Sequence, residues 1–306
     1  MLAIEQMYRP IPATPFQNDE TYCEITPCDA LKPYIRCFWG TKHPIASLQN
    51  NNDSFGLVIP DTCMDIIFDV NYSKGTYSDM LCTVDENSYR TIGASSNTDF
   101  VSTFGIRFYA HTAILFSDVP FKGSKNQCFE LDVFMPRLKK ALTPVIEKYT
   151  SLKDRVIATE RVLLNYLNTQ KINCNLYNSI HYMVSNRGRG TVNDVCSHVA
   201  VSKRTLERVF NENIGISPKS YFLLVRYQLL WRDMIFKKNF SVLDAVEEYG
   251  YTDQSHLLKD FKRRHLMLPK NAIEYAKTDT LSHFYNTSYE NSAKMESEFL
   301  YGSEMI

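Results

Sequence analysis

The stretch TVNDVCSHVAVSKRTLERVF, Thr191–Phe210, has the pattern of two short helices joined by a tight turn. Thr191 followed three residues later by Asp194 is typical of a helix start, because the hydroxyl and the carboxylate can satisfy free backbone amides. A second stretch, SVLDAVEEYGYTDQSHLLKDF over Ser241–Phe261, repeats the plan, with its break at Gly250. Two helices joined in this way form a helix-turn-helix, whose second helix can enter the DNA major groove. The sequence therefore predicts two such motifs.

The segment between the two motifs predicts one long helix. Gly215 suits the end of the preceding helix, Ser217 suits a helix cap, and Pro218 suits the first helical turn. A helix from Pro218 to Lys237 would be about 28–30 Å long. Because one turn of B-DNA is about 34 Å, such a helix could hold the two motifs over successive major grooves. A last helix is expected over Pro269–Ala276.

The charge of the chain is distributed unevenly. The 306 residues have a formal net charge of zero, 44% hydrophobic and 22% charged residues, which is ordinary for a globular protein of two domains. From Lys171 to Lys277, however, 17 basic residues stand against 10 acidic ones. This asymmetry predicts a polyanionic partner for the C-terminal third alone.

Several classes of protein are disfavoured by the sequence. No apolar run approaches the roughly 18–20 residues of a membrane span, and MLAIEQMYRPIP lacks the features of a signal peptide, so a cytoplasmic location is expected. The eight cysteines form no CxxC pair and are expected to be reduced thiols. GxSxG, HExxH and Walker patterns are absent, and only His43 and His111 precede residue 181. We therefore expect neither an enzyme, nor a metal site, nor a cofactor.

The N-terminal part predicts an antiparallel β barrel or sandwich, which makes the fold class α+β. Short strand-like runs rich in Val, Ile and Phe alternate with turn residues. The expected strands are Ile35–Trp39, two within Phe55–Asn71 separated at Pro60–Asp61, Tyr77–Thr83, Tyr89–Ile92 and Phe100–Tyr109. Helical periodicity begins near Phe129. The predicted division is a β-rich sensor domain (1–128), a helical linker or dimerisation region (129–170), a DNA-binding domain (171–277) and an acidic tail (278–306).

These motifs resemble the AraC/XylS family of bacterial transcription regulators. The resemblance covers about residues 172–277, including GISPKSY and YGYTDQSHLLKDFKRRHLMLPKNAIEYA. The pieces LKPYIRCFWG, VIPDTCMDIIFD and STFGIRFYAHTAILFSDVPFKG resemble a poorly characterised domain that precedes such modules, and they imply a cupin-like fold. The resemblance implies a transcription activator, with double-stranded DNA and RNA polymerase as partners.

The family pattern assigns roles to individual residues of this sequence. Base-reading positions correspond to Lys203, Arg204, Glu207, Arg208, Gln254, Ser255, Leu258 and Lys259. Arg and Lys suit guanine, Gln suits adenine, Glu suits cytosine, and Leu can touch a thymine methyl group. Phosphate contact is expected for Thr191, Ser217, Lys219, Lys262, Arg263, Arg264 and Lys270. For each of them, a solvated surface side chain is the alternative.

The sequence departs from the family pattern at the end of the second motif. Leu266 stands where a glycine is common, and Leu268 stands where the next helix usually has a capping Ser or Thr. A missing cap costs about 1 kcal/mol. The second motif is therefore expected to be less rigid than the first.

The N-terminal domain is expected to sense a signal. A barrel offers a concave apolar interior for a small-molecule effector, and the candidate lining residues are Trp39, Phe68, Phe104, Arg107 and Phe108. A plain core role is the alternative for the aromatic residues. A second hypothesis makes this domain a dimerisation or protein-interaction module without a ligand.

Overall fold

The computed structural model describes residues 4–46, 55–92 and 99–278, and it confirms the α+β class. β-Strands dominate the first 130 residues, and helices dominate the remainder. The predicted acidic tail lies outside the described residues from position 279 onward. The three boundaries between the four predicted regions stay predictions.

The N-terminal strands form two antiparallel sheets within the described segments. The strands are β1 (Cys23–Ile25), β2 (Ile35–Gly40), β3 (Ile45–Ala46), β4 (Phe55–Val58), β5 (Cys63–Asn71), β6 (Thr76–Cys82), β7 (Tyr89–Ile92), β8 (Phe100–Tyr109) and β9 (Cys128–Phe129). The larger sheet has the order β1-β2-β8-β5-β6-β9, with β3 also paired to β8, and the smaller sheet consists of β4 and β7. The expected strands are confirmed to within a residue or two. The two-residue strands β3 and β9 and the short β1 had no alternating pattern long enough to predict them.

Alternation along β5 and β8 creates two unlike faces of the larger sheet. Phe68 lies opposite Phe104 and Met64 opposite Phe108, and all four are fully buried. Asp65 lies opposite Arg107 on the other face, since side chains alternate along a strand. One face is therefore core, and the other carries polar groups.

The expectation of eight reduced cysteines is wrong for one pair. Cys82 and Cys128 form a disulfide between β6 and β9, where they are direct cross-strand neighbours. They are 46 residues apart in the chain, so no sequence spacing could reveal the pair. The sheet register alone brings their side chains together.

Eleven α-helices occur in the described residues, and most of them follow the sheets. They are α1 (Ile4–Met7), α2 (Ala110–Ala113), α3 (Pro136–Lys148), α4 (Leu152–Tyr166), α5 (Cys174–Ser185), α6 (Val192–Val199), α7 (Lys203–Asn213), α8 (Pro218–Phe236), α9 (Val242–Glu248), α10 (Gln254–His265) and α11 (Pro269–Thr278). The long helix α8 and the last helix confirm the predicted bounds to within two residues.

The helices of the predicted linker region pack against the larger sheet. Arg155 of α4 is buried, and its guanidinium donates to Ser102 Oγ at 3.0 Å and to Tyr72 Oη at 2.7 Å. Leu163 is buried as well, whereas Leu164 is 43% exposed. Only some of the apolar side chains of this helix therefore pack in the core.

Helix α8 is buried between the two parts of the molecule. The Gln228 amide accepts from Ile11 N at 3.0 Å and donates to the Pro60 carbonyl at 2.9 Å. Trp231 Nε1 donates to the Pro12 carbonyl at 3.1 Å. The helix is therefore anchored to the N-terminal part by three hydrogen bonds as well as by apolar packing.

Candidate nucleic-acid interface

The first helix-turn-helix is formed by α6 and α7, and side-chain caps begin both helices. The sequence predicted Thr191 and Asp194 as a helix start, and in the structure the two side chains form a complete capping box. Ser202 accepts a hydrogen bond from Thr205 N and begins α7. Between the helices Ala200 has φ = 54°, a left-handed conformation that glycine adopts more readily. The chain therefore turns sharply at the predicted break.

Helix α7 has one buried face and one polar face. Leu206, Val209 and Phe210 are buried, as helical periodicity requires. The predicted base-reading side chains Lys203, Arg204 and Arg208 are exposed, and Glu207 is half-buried. Arg208 makes a 3.6 Å ion pair with Glu212, and both partners are largely exposed. Such a pair contributes little stability, so Arg208 can readily exchange it for another acceptor.

The second helix-turn-helix, α9 and α10, repeats this arrangement. Asp253 begins α10 by accepting a hydrogen bond from His256 N at 2.8 Å. Gln254, Ser255 and Lys259 are exposed, as expected of base-reading positions. Leu258 is half-buried and packs against the core.

The predicted phosphate-contact residues do not share one environment. Arg264 is only 5% exposed and lies beside Asp260, with Nε 3.5 Å from Oδ1, so the prediction of a phosphate contact is wrong for this residue. Its polar sequence neighbourhood concealed that it falls on the buried face of α10. Ser217 is half-buried and caps α8. The exposed members of the set are Thr191, Lys219, Lys262, Arg263 and Lys270.

Asp260 is the centre of a cation cluster that fixes α10. Its carboxylate lies 2.8 Å from Arg263 and 3.6 Å from Arg226, in addition to Arg264. Burial acts to raise the pKa of Asp260, but the nearby guanidinium groups outweigh it and lower the pKa. Tyr251 Oη also donates to this carboxylate at 3.0 Å. Ion pairs and a hydrogen bond to Asp260 therefore stabilise the second motif, and the sequence did not indicate them.

The tract Arg187–Gly190 connects both motifs to α8. Arg187 Nη2 lies 2.6 Å from Asp233 of α8 and 3.0 Å from Glu248 of α9. Gly188 has φ = 69°, and a Cβ there would lie 2.6 Å from the Arg226 Cα. Only glycine permits this approach, so the tract has a structural role at the centre of the domain.

Leu266 occupies the position that the family gives to glycine, and it does so in a left-handed conformation. It ends α10 with φ = 58° and is 43% exposed. The residue therefore retains the glycine geometry at a cost of about 1 kcal/mol.

The predicted effector residues lie on opposite sides of the larger sheet. Phe68, Phe104 and Phe108 are fully buried core residues, which corrects their predicted placement in a pocket. Trp39 and Arg107 lie on the polar face, where both donate to Asp65 Oδ1, at 2.7 and 3.0 Å. The face that carries Trp39 and Arg107 is therefore polar, whereas an apolar site was expected.

Carboxyl groups crowd this polar face. Asp61 lies 4.0 Å from Arg107, and Glu24 lies 2.9 Å from Arg36. Burial, together with the charges of Asp61 and Asp65, raises the pKa of Asp85 to about 6. On this face, the charged side chains lie together with the indole ring of Trp39, which packs against Gly105. We call it the sensor face: Trp39, Asp61, Asp65, Asp85 and Arg107.

The described segments were also compared with the features of membrane spans and of metal sites. None of the helices in residues 4–278 that the structure describes is long and apolar enough to cross a membrane. The same segments contain no group of three or more His, Cys, Asp or Glu side chains arranged to hold a metal ion.

Sequence reasoning missed three residues that position the interface. Ser202 and Asp253 cap the two recognition helices, and each was visible as a capping residue directly before a polar helix. Gln228 joins the two parts of the molecule, but nothing in its sequence context distinguishes it from an exposed glutamine.

Comparison with known proteins identifies the two parts of the chain. Residues 195–274 match a helix-turn-helix domain model, and residues 23–130 match a domain of unknown function (DUF6597). The regulatory protein HrpB of Ralstonia nicotianae is 24% identical over 96 residues, which are 30% of this chain and 20% of that protein. The chain thus spans about a fifth of the length of this curated relative.

The chain is also similar to several solved structures of regulators. A Chromobacterium violaceum regulator with an AraC-type DNA-binding domain is 20% identical, with 34% of this chain and 93% of that chain covered, at a TM-score of 0.32. ToxT from Vibrio cholerae, solved with an unsaturated fatty acid bound, is 11% identical, with 74% and 97% covered, at a TM-score of 0.38. The match over residues 195–274 confirms a helix-turn-helix domain in the C-terminal part. The predicted resemblance to the AraC/XylS regulators is confirmed, and the similar proteins are regulators, not enzymes.

Proposed function

We propose that this protein is a sequence-specific DNA-binding transcription regulator, active in the cytoplasm, in which α7 and α10 read neighbouring major grooves of double-stranded DNA. The observation that carries the proposal is the exposure of base-reading side chains on both helices, with their apolar faces buried against α8. The 19-residue helix α8 is about 28 Å long, close to the roughly 34 Å turn of B-DNA.

The side chains on the two helices supply different base-recognition chemistry. Arg204 and Arg208 of α7 suit the O6 and N7 atoms of guanine, and Glu207 suits the amino group of cytosine. Gln254 of α10 suits adenine, with Lys259 as a further donor. Lysines at the helix ends would neutralise phosphates and orient the protein on the duplex.

We further propose that the protein is an activator that contacts RNA polymerase and responds to an effector at the sensor face. Arg107, Asp65 and Trp39 combine a cation, an anion and an indole ring on a partly exposed surface. This chemistry favours a small polar molecule. The Gln228 hydrogen bond to Pro60, the residue next to Asp61, provides a short physical route from this face to α8.

A second candidate role for the N-terminal part is homodimerisation. Ile157 and Leu164 of α4 lie seven residues apart on one helix face, and each is 43% exposed. Replacing Leu164 with Glu should abolish a dimer in sedimentation velocity if this face forms it. An unchanged sedimentation coefficient would exclude the face as the interface.

Selection of DNA from a random pool by the full chain tests the main proposal. We expect enrichment of two short sequence blocks about one helical turn apart, one for each recognition helix. The affinity for the enriched DNA should fall steeply with salt because bound phosphates release counterions. Recovery of unenriched DNA, or affinity independent of salt, would refute the proposal.

A further inference from the structure

A second candidate binding site lies at the junction between the N-terminal part and the first helix-turn-helix. A cleft of about 470 Å³ opens there, a size typical of small-molecule sites. Its walls come from α1, from Tyr34 and α2 in the N-terminal part, from the beginning of α5, and from Asn213 at the end of α7. We call it the junction pocket. It is separate from the sensor face and shares no residue with it.

Among the described residues that line the junction pocket, Glu5 is the one acidic residue, and none is a lysine or an arginine. Burial raises the pKa of Glu5, and no cationic side chain of the described segments contributes an opposing effect. A backbone hydrogen bond to the carboxylate acts in the opposite direction but does not offset the burial, so a positive charge placed beside it would stabilise its ionised form further.

His111 adds a hydrogen-bond acceptor to the pocket. The side chain is 8% exposed, and its Nδ1 has no hydrogen-bond partner among the described residues. Burial lowers the pKa of His111 to about 4, so the ring is neutral near pH 7 and adds no positive charge. A neutral imidazole retains one nitrogen as an acceptor.

The remaining walls suit an apolar body with a cationic head. Ile114, Leu115 and Leu176 provide apolar contact, and Tyr34 and Tyr177 provide aromatic rings. Aromatic rings attract cations through the negative charge of their faces. The apolar and aromatic walls would hold the body of a ligand while its head reaches the acceptors.

We propose that the junction pocket binds a small organic cation, an amine with an apolar or aromatic body, through Glu5 and His111. A carboxylate ligand would meet the Glu5 carboxylate with no cation to offset the repulsion. The positive end of α5 does not reverse this preference, because the Asn173 side chain already accepts from Leu176 N there. A neutral alcohol would leave the Glu5 charge uncompensated.

The position of the pocket couples its occupant to the first recognition helix. Its lining joins Thr112 of α2 to Asn173, which caps α5, and to Asn213, the last residue of α7. A bound amine would contact both parts of the molecule at once and restrain their relative position. This consequence for DNA binding rests on the proposed function, whereas binding of the amine itself does not.

Three probes with the same aromatic body and different head groups test the proposal on the full chain. Phenethylamine, phenethyl alcohol and phenylpropionate would be titrated calorimetrically at pH 7. We expect the amine to bind at least about tenfold more tightly than the alcohol, and the carboxylate to bind most weakly. Glu5→Gln should reduce amine affinity about tenfold and leave alcohol affinity unchanged. Glu130→Gln, a change at an exposed carboxylate outside the pocket, is the matched control.

Alkylation of Cys174 provides an independent test of where the amine binds. This thiol lines the pocket and is exposed, so iodoacetamide should alkylate it and phenethylamine should slow that reaction. Mass spectrometry would measure the rate, with the half-buried Cys23 as internal reference. Equal affinities for the three probes, amine binding unchanged in Glu5→Gln, or no protection of Cys174 would each overturn the proposal. Failure of the DNA selection would leave these results unaffected.

Discussion

Replacing Gln228 with Leu should weaken the connection between the N-terminal part and α8. Gln228 is 1% exposed, and its amide satisfies two buried backbone groups, the Ile11 N–H and the Pro60 carbonyl. Leucine has a similar volume and helix propensity, so neither a cavity nor a helix defect accompanies the change. Each buried group left without a partner costs about 1–3 kcal/mol, which gives a loss of roughly 2–6 kcal/mol.

Urea unfolding followed by tryptophan fluorescence measures this loss. The chain has two tryptophans: Trp39 lies in the N-terminal part and Trp231 in α8, so both sides of the connection are observed. Because the free energy of unfolding of a protein is typically about 5–15 kcal/mol, the expected change is easily resolved. Gln170→Leu, at an exposed position, is the control and should change the free energy by less than about 0.5 kcal/mol. A Gln228→Leu loss as small as that of the control would refute the reasoning.

Three further changes test other features. Arg208→Ala should weaken specific DNA binding by about 1–3 kcal/mol and relax preference at one base pair; an equal loss on random DNA would exclude base reading. Leu266→Gly should raise the free energy of unfolding by about 1 kcal/mol, whereas Leu266→Ala, which keeps the left-handed strain, should not. Burial lowers the pKa of His265 to about 3, below the usual 6.5, so its neutral form is favoured in the folded state. The contribution of His265 to the free energy of unfolding is therefore complete above pH 6.5 and falls at lower pH by up to about 1.4 kcal/mol per pH unit. His265→Gln should flatten this pH dependence in acid unfolding curves. An unchanged slope would contradict the assignment to His265.

The two helix-turn-helix motifs were predictable because their signals are local. Thr191 and Asp194 cap a helix three residues apart, and the apolar positions Leu206, Val209 and Phe210 define one helical face. Such features depend on neighbours within one or two helical turns, so the sequence carries them directly.

The burial of individual site residues could not be predicted from the sequence, because burial of a polar side chain depends on distant contacts. Arg264 is of a residue type that is usually exposed, yet its ion pair with Asp260 and the packing of α10 keep it buried. Phe104 and Arg107 lie three positions apart on one strand, and sheet alternation places them on opposite faces. The effector set combined both faces because it was chosen by residue type.

The sequence by itself determined the α+β class, the two capped motifs, the long connecting helix and the basic character of the C-terminal third. Periodicity, capping residues and charge are properties of short segments, which explains why they can be read without a fold. Only the tertiary structure decided how the two parts meet: the Gln228 bonds to Ile11 and Pro60, the cross-strand pair Cys82–Cys128, and the junction pocket around Glu5 and His111. These features join residues that are 46 to 217 positions apart in the first two cases, and packing alone brings such residues together.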